Sequence, residues 1–218
     1  MYKIPKGRLI LLKVITAVIV FFALITSFVA GFFVVHTRTY VNGASMAPTL
    51  NVTYSQTGQR DIVYINRFSK GKVGDIVVLD LRQHSTFGNY IIKRLVAVEG
   101  DIVNIVFDEN NLRYSLIVNG VTVESKENKQ GGYNTYGYFS NYVSQHKQDA
   151  TRVIQNEQNE VEGVKIKTGE VFVLGDNWDM SKDSALVGPL PQKSIVGRVD
   201  IVVKPNQNEI LAVLKRIF

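Results

Sequence analysis

The chain has no cysteine at all, and that single absence removes several kinds of chemistry together. There is no disulfide framework, no thiolate nucleophile and no cysteine-ligated zinc. Histidine is nearly as scarce, with only His36, His84 and His146 among 218 residues. The first forty positions hold no Asp or Glu. A net charge of +6 suggests nucleic acid until its location is considered. Lys3, Lys6, Arg8 and Lys13 lie ahead of a long apolar run, and without them 21 cations face 19 anions. The basicity therefore belongs to a membrane flank, and a nucleic-acid partner is not expected.

From Val14 to Val35 the chain carries no charge over 22 residues, enough to cross a hydrocarbon core of roughly 30 Å as a helix. A cleaved signal peptide has a shorter apolar region and a small-x-small site, and Phe28 blocks the nearest candidate, which ends at Ala30. The expectation is an uncleaved single-pass anchor over 14–35. A cytoplasmic basic segment over 1–13 precedes it, and an extracytoplasmic domain over 36–218 follows under the positive-inside rule. A cysteine-free domain of this kind fits a Gram-positive cell surface.

Beyond the anchor the hydrophobic period changes from helical to strand-like. Asp61 to Ile65, Asp75 to Leu81, Tyr90 to Val98, Ile102 to Phe107 and Leu116 to Val123 are short, β-branched and separated by Gly, Asn or Asp. Asn119-Gly120 marks a type I′ hairpin turn. Strand pattern returns at Val164 to Ile166, Glu170 to Leu174 and Ile195 to Val203. The fold class expected is mainly β, an antiparallel sheet behind one N-terminal helix. Between 124 and 162 the chain turns polar, with Tyr133, Tyr136, Tyr138 and Tyr142, and a small inserted subdomain packed by those rings is expected. Asn206 to Phe218 reads as a short amphipathic helix, suited equally to lipid or to its own domain.

Four segments concentrate the chemistry. They are Ser45-Met46-Ala47-Pro48-Thr49-Leu50, Gly74-Asp75-Ile76-Val77-Val78, the run from Lys93-Arg94 to Gly100-Asp101, and Gly175-Asp176-Asn177 continuing to Ser181, Asp183 and Ser184. A serine needs a base to become a nucleophile. His84 sits in a Gln-His-Ser-Thr context with nothing of a triad motif around it. Lys93 lies in an apolar strand, where desolvation lowers a lysine pKa and a neutral amine accepts a proton. A snorkelling lysine on a strand edge is the ordinary alternative.

In this order the four segments resemble the sequence boxes of the type I signal peptidases. The resemblance runs from the N-terminal span to about Val199. It implies Ser45 as nucleophile, Lys93 as general base and Ser181 as the hydroxyl orienting the Lys93 amine, with Ser184 as rival for that role. It also implies that the Ser45 backbone N–H contributes to the oxyanion hole. Some members add a hydroxyl donor two residues earlier, where this chain has Gly43. Met46 is expected to wall an apolar pocket and Pro48 to stiffen the loop, while Gly175, Asp176, Asn177 and Asp183 support the site. No metal and no cofactor is implied.

Two positions depart from the family pattern, Trp178 and Ala185, each standing where an Arg is usual. The second leaves Asp183 without its usual cation, for which Lys182 or Arg198 is the expected substitute. The implied function is a membrane-anchored serine endopeptidase removing signal peptides from exported preproteins. Membrane lipid is a partner on this reading, as are components of a secretion translocon or of a pilus. Two alternatives stand beside it. One is a pilus-associated paralogue, either a dedicated peptidase or a non-proteolytic assembly chaperone. The other is a self-cleaving Ser/Lys protease of the repressor type, against which the apolar span counts.

Overall fold

The computed structural model describes residues 5–52, 54–108, 110, 112–127, 135–146, 150–156 and 159–217. The chain forms two compact units, residues 1–37 and 38–218. The first is helix α1, Lys6–Val35, apolar on every side and solvent-exposed along its length. Its stretch Gly7–Val35 is long and apolar enough to cross a membrane. The hydroxyls of Thr16 and Thr26 donate to the carbonyls of Leu12 and Phe22, so these two side chains are satisfied within the helix.

The second unit is built on two sheets. One has seven strands in the order β1-β2-β12-β3-β4-β10-β11, drawn from β1 (His36–Tyr40), β2 (Ile62–Asn66), β3 (Ile76–Asp80), β4 (Tyr90–Val98), β10 (Glu170–Leu174), β11 (Leu190–Pro191) and β12 (Ile195–Val203). The other has five in the order β7-β6-β5-β9-β8, from β5 (Ile102–Asp108), β6 (Arg113–Val118), β7 (Val121–Glu127), β8 (Ala150–Asn156) and β9 (Asn159–Lys165). From β2 to β12 the paired neighbours are antiparallel. The mainly β, antiparallel class expected from the sequence is the class observed.

The strands form where β-branched residues alternate between short turns, and the turn residues match their tasks. Asn119 and Gly120 both take positive φ, 52° and 78°, which a type I′ turn requires, and Val118 pairs with Val121 across it. At Gly100-Asp101 the chain passes from β4 in the first sheet to β5 in the second. There the Asp101 carboxylate accepts from the Val98 N–H at 2.9 Å and from the Asn119 side chain at 2.8 Å, so one carboxylate braces the corner and the hairpin together.

The polar stretch 124–162 supplies helix α3 (Thr135–Gln145) and strands β8 and β9, and β9 pairs with β5. Tyr138 and Tyr142 pack against the buried cluster that also holds Phe139, Phe172, Trp178 and Ala185. Tyr133 lies outside the described residues, as does the side chain of Tyr136. Two further short helices, α2 (Tyr54–Thr57) and α4 (Ser184–Val187), precede the C-terminal α5 (Glu209–Ile217).

Candidate active site

Lys93 lies on β4 opposite Val77 of β3, in the middle of the larger sheet, and is only 4% exposed. Its Nζ is 2.7 Å from Ser45 Oγ. Two residues 48 positions apart are thus brought into hydrogen-bond contact by the docking of one loop on one strand. Burial lowers the Lys93 pKa to about 8, and the carboxylates of Asp183 and Asp176 partly oppose that shift. His84 is engaged elsewhere: its Nδ1 accepts the Thr86 N–H at 3.2 Å and its ring lies against Phe87.

The Ser45 loop is held from three sides. From below, Met46 and Leu50 are buried with Val41, Val63, Ile65 and Val78, so Met46 anchors the loop in the core beside the cleft. From the last box, the Asn177 N–H donates to the Ser45 carbonyl at 3.0 Å and the Asn177 side chain to the Ala44 carbonyl at 3.2 Å. Gly175 is glycine for lack of room, since a Cβ there would stand 2.2 Å from Ser181 Oγ and 2.5 Å from the Ser45 carbonyl oxygen. Gly43 has φ of +77°, the left-handed region that favours glycine, and that backbone turn accounts for a residue with no hydroxyl to offer. The bond from Ala47 to Pro48 is cis.

The third support was not foreseen. Asn51, buried and at φ +55°, donates through Nδ2 to the carbonyls of Val41 (2.8 Å) and Gly43 (2.9 Å), while its Oδ1 accepts the Asp61 N–H (2.7 Å). Asp61 in turn accepts from the Asn51 N–H at 2.9 Å and from Lys204 Nζ at 2.6 Å, and Lys204 also donates to the Thr49 carbonyl at 2.7 Å. The one sequence signal was an Asn directly after the serine box, a residue tolerant of positive φ. Replacing Asn51 with Ala leaves three backbone groups unpaired, two of them buried, and a β-carbon at positive φ. About 2–4 kcal/mol of stability should be lost, at about 1–3 kcal/mol for each unsatisfied group partly offset by relaxation. Chemical denaturation of the purified protein measures it, and an unchanged midpoint would show that the Asn51 bonds do not brace the loop.

Asp176 and Asp183 have different surroundings. Burial pushes the Asp176 carboxyl up, but the Arg94 hydrogen bonds, the Thr49 side chain and the charges of Arg94 and Lys126 together outweigh it and hold its pKa below the usual range. That pair is bidentate, Nε to Oδ1 at 2.8 Å and Nη2 to Oδ2 at 2.6 Å, and Arg94 also donates to the Gly74 carbonyl at 2.7 Å. One arginine therefore ties β4 to Gly74, ahead of β3, and to Asp176. Asp183 is fully buried. It accepts from the Gly175 N–H (2.9 Å), Ser181 Oγ (2.5 Å) and the Ala185 N–H (3.1 Å), capping α4, and burial raises its pKa.

Two sequence expectations about the last box are corrected here. Arg198 does not stand in as the cation for Asp183; it pairs with Asp200 at 2.6 Å and lies 3.7 Å from Asp75. Lys182 makes no ion pair with Asp183 among the described residues. Three hydrogen-bond donors, with the Lys93 charge nearby, act on the carboxylate instead. Trp178 and Ala185, the two departures from the family pattern, are both buried in the cluster under α3, where Lys126 Nζ sits 4.7 Å over the Trp178 ring. Ser181 is directed at Asp183, and no hydrogen bond joins it to Lys93 among the described residues. Ser184 donates nowhere near the amine; its Oγ accepts the Val173 N–H at 3.0 Å.

Beside Ser45 and Lys93 lies an open cleft of about 470 Å³, lined among others by Tyr40, Val41, Val63, Val78 and Ile92. The family model for signal peptidase, peptidase S26, matches residues 11–204. The chain belongs to that family, with the type I signal peptidases. It is similar to a probable signal peptidase I-1 from Synechocystis, 29% identical over 80% of this chain and 74% of the relative. It is likewise similar to a signal peptidase I from Bacillus licheniformis, 29% identical over 76% of this chain and 75% of the relative. With a signal peptidase IB from Staphylococcus aureus it shares 30% identity over 81% of this chain and 82% of the relative. As an enzyme, this signal peptidase is a serine peptidase, a hydrolase.

Proposed function

We propose that this signal peptidase cleaves by a Ser45/Lys93 dyad and that it is held in the membrane by α1, with the basic N-terminus inside and the catalytic unit outside. The observation that carries the dyad is the 2.7 Å contact between Lys93 Nζ and Ser45 Oγ in a nearly dry setting. On this reading the neutral Lys93 amine takes the hydroxyl proton as Ser45 Oγ attacks the scissile carbonyl. The resulting ammonium protonates the departing amine of the mature protein, leaving the signal peptide esterified to Ser45. Lys93 then deprotonates a water, which hydrolyses the ester and restores the serine. The Ser45 N–H is engaged by no hydrogen bond among the described residues, and it is the donor assigned to the developing oxyanion. Asp183 accepts the Ser181 hydroxyl, and the two act as positioning residues through Gly175 and the Ser45 loop.

The cleft favours an extended peptide between Tyr40-Val41 and Tyr90–Ile92, with small side chains over Val63 and Val78. Preproteins emerging from the membrane with a small-x-small site are the substrates proposed. No observation at the site favours a non-proteolytic chaperone.

The test is cleavage of a preprotein by the detergent-solubilised protein beside Ser45→Ala and Lys93→Ala, with the new N-terminus sequenced. Cleavage after a small-x-small site, abolished by both substitutions, is the expected result. Activity surviving in Lys93→Ala would overturn the dyad. A second expectation concerns pH. The amine is competent only when neutral, so kcat/KM should rise with pH through an apparent pKa of about 8 and fall about tenfold per pH unit below it. A profile flat between pH 6 and 9 would remove Lys93 as the base.

A further inference from the structure

Helix α5 presents three large apolar side chains to solvent, Ile210 at 72%, Leu211 at 52% and Leu214 at 43% exposure. At 100° per residue they fall on one face, with Ala212 and Val213 turned inward and partly buried. Lys215 and Arg216 stand in the last turn. The single acid of the helix, Glu209, is already committed. It accepts Arg38 Nε at 2.6 Å and Nη2 at 3.1 Å, and the Tyr64 hydroxyl at 2.7 Å. An apolar stripe bordered by uncompensated cations matches an anionic bilayer surface.

Chain length supplies the second argument. Arg38 follows Val35, the last residue of α1, by three residues, a span of at most roughly 11 Å of chain. Whatever angle the catalytic unit adopts, the Arg38–Glu209 pair keeps the start of α5 on that short leash. We infer that α5 is an interfacial helix that docks the catalytic unit on an anionic lipid surface through Ile210, Leu211 and Leu214. The inference rests on the anchored reading of α1. It also carries a consequence for the site, because Lys204, ahead of α5, donates to the Thr49 carbonyl and to Asp61. Docking α5 therefore fixes the height of the Ser45 loop above the bilayer.

The absence of cysteine makes a direct experiment simple. Single variants Leu211→Cys, Leu214→Cys and Val121→Cys of the full chain are spin-labelled and reconstituted in vesicles containing about a third anionic lipid; Val121 is an exposed hairpin position, at 64%. Flotation with the vesicles checks the anchor, and cleavage of a soluble peptide checks the fold. The expected result is a several-fold rise in the oxygen-to-nickel accessibility ratio at 211 and 214 over that at 121, lost in vesicles lacking anionic lipid or in Leu211→Gln/Leu214→Gln background controls labelled at Ile210→Cys. That double variant should also cleave a vesicle-inserted preprotein several-fold more slowly while its rate on soluble peptide is unchanged. Labels at 211 and 214 as wet as at 121, in protein that floats, would overturn the inference. So would spin–spin coupling that grows with protein density, which would make a second copy the occupant. Failure to float would instead overturn the anchored reading.

Discussion

Lys93→Met is expected to yield a protein that is inactive yet more stable than the parent at neutral pH. In the folded chain burial brings the Lys93 pKa from 10.5 to about 8, so the unfolded chain holds the proton more tightly. That difference of about 2.5 units is roughly 3 kcal/mol of destabilisation, at about 1.4 kcal/mol per unit. It is present in full below pH 8 and vanishes as pH rises to 10.5. Methionine fills similar space without the charge, at the cost of about 1 kcal/mol for the lost Ser45 hydrogen bond. The net gain is about 2 kcal/mol, or several degrees in the melting temperature at pH 7, shrinking toward pH 10. Cleavage should fall by about 10²–10⁴-fold with loss of the base. Thermal melts at pH 7 and pH 10 beside a cleavage assay test both halves. A lower melting temperature at pH 7 would mean that the ammonium is stabilised by its carboxylates rather than stranded among apolar residues.

Gly175→Ala should disable cleavage through geometry alone. The added carbon would lie 2.2 Å from Ser181 Oγ and 2.5 Å from the Ser45 carbonyl oxygen. The first neighbour is a side chain that can turn away by giving up Asp183; the second is backbone of the Ser45 loop. Retreat of that loop breaks the 2.7 Å contact with Lys93 and loosens the Asn177 N–H bond to Ser45. A misplacement of this size should lower kcat by about 10²-fold while KM changes little, since the cleft walls at Tyr40-Val41 and Tyr90–Ile92 stay in place. Adding Ser181→Gly should not restore activity, because the clash with the Ser45 carbonyl remains. Activity within threefold of the parent would show that the loop has slack that the packing does not suggest.

These two expectations depend unequally on the sequence. The strands were legible because β-branched residues alternate between Gly, Asn and Asp turns, and local chemistry decides such elements. The hairpin at Asn119-Gly120 was legible for the same reason. The brace made by Asn51, Asp61 and Lys204 was not, because its members are separated by up to 153 positions and share no pattern. Nor was the partner of Asp183. Sequence reasoning looked to Lys182 or Arg198 to replace a missing arginine, whereas the fold supplies three neutral donors and sets Lys93 nearby. The orienting role expected of Ser181 depends likewise on where its hydroxyl points, and it points to Asp183.

Residue types and their order are written along the chain, and from them come the apolar span, the antiparallel sheet class and the proposed pairing of a serine with a lysine. Whether that lysine is a surface charge or a buried amine was decided elsewhere. Periodicity is local, but burial and register are sums over contacts between distant segments. Only when β4 is enclosed by its neighbours, and the Ser45 loop is pinned by Asn51, Asn177 and Gly175, does Lys93 lose its water and meet Ser45 at 2.7 Å. Desolvation of the amine is a property of that enclosure, and no run of residues around Lys93 contains it.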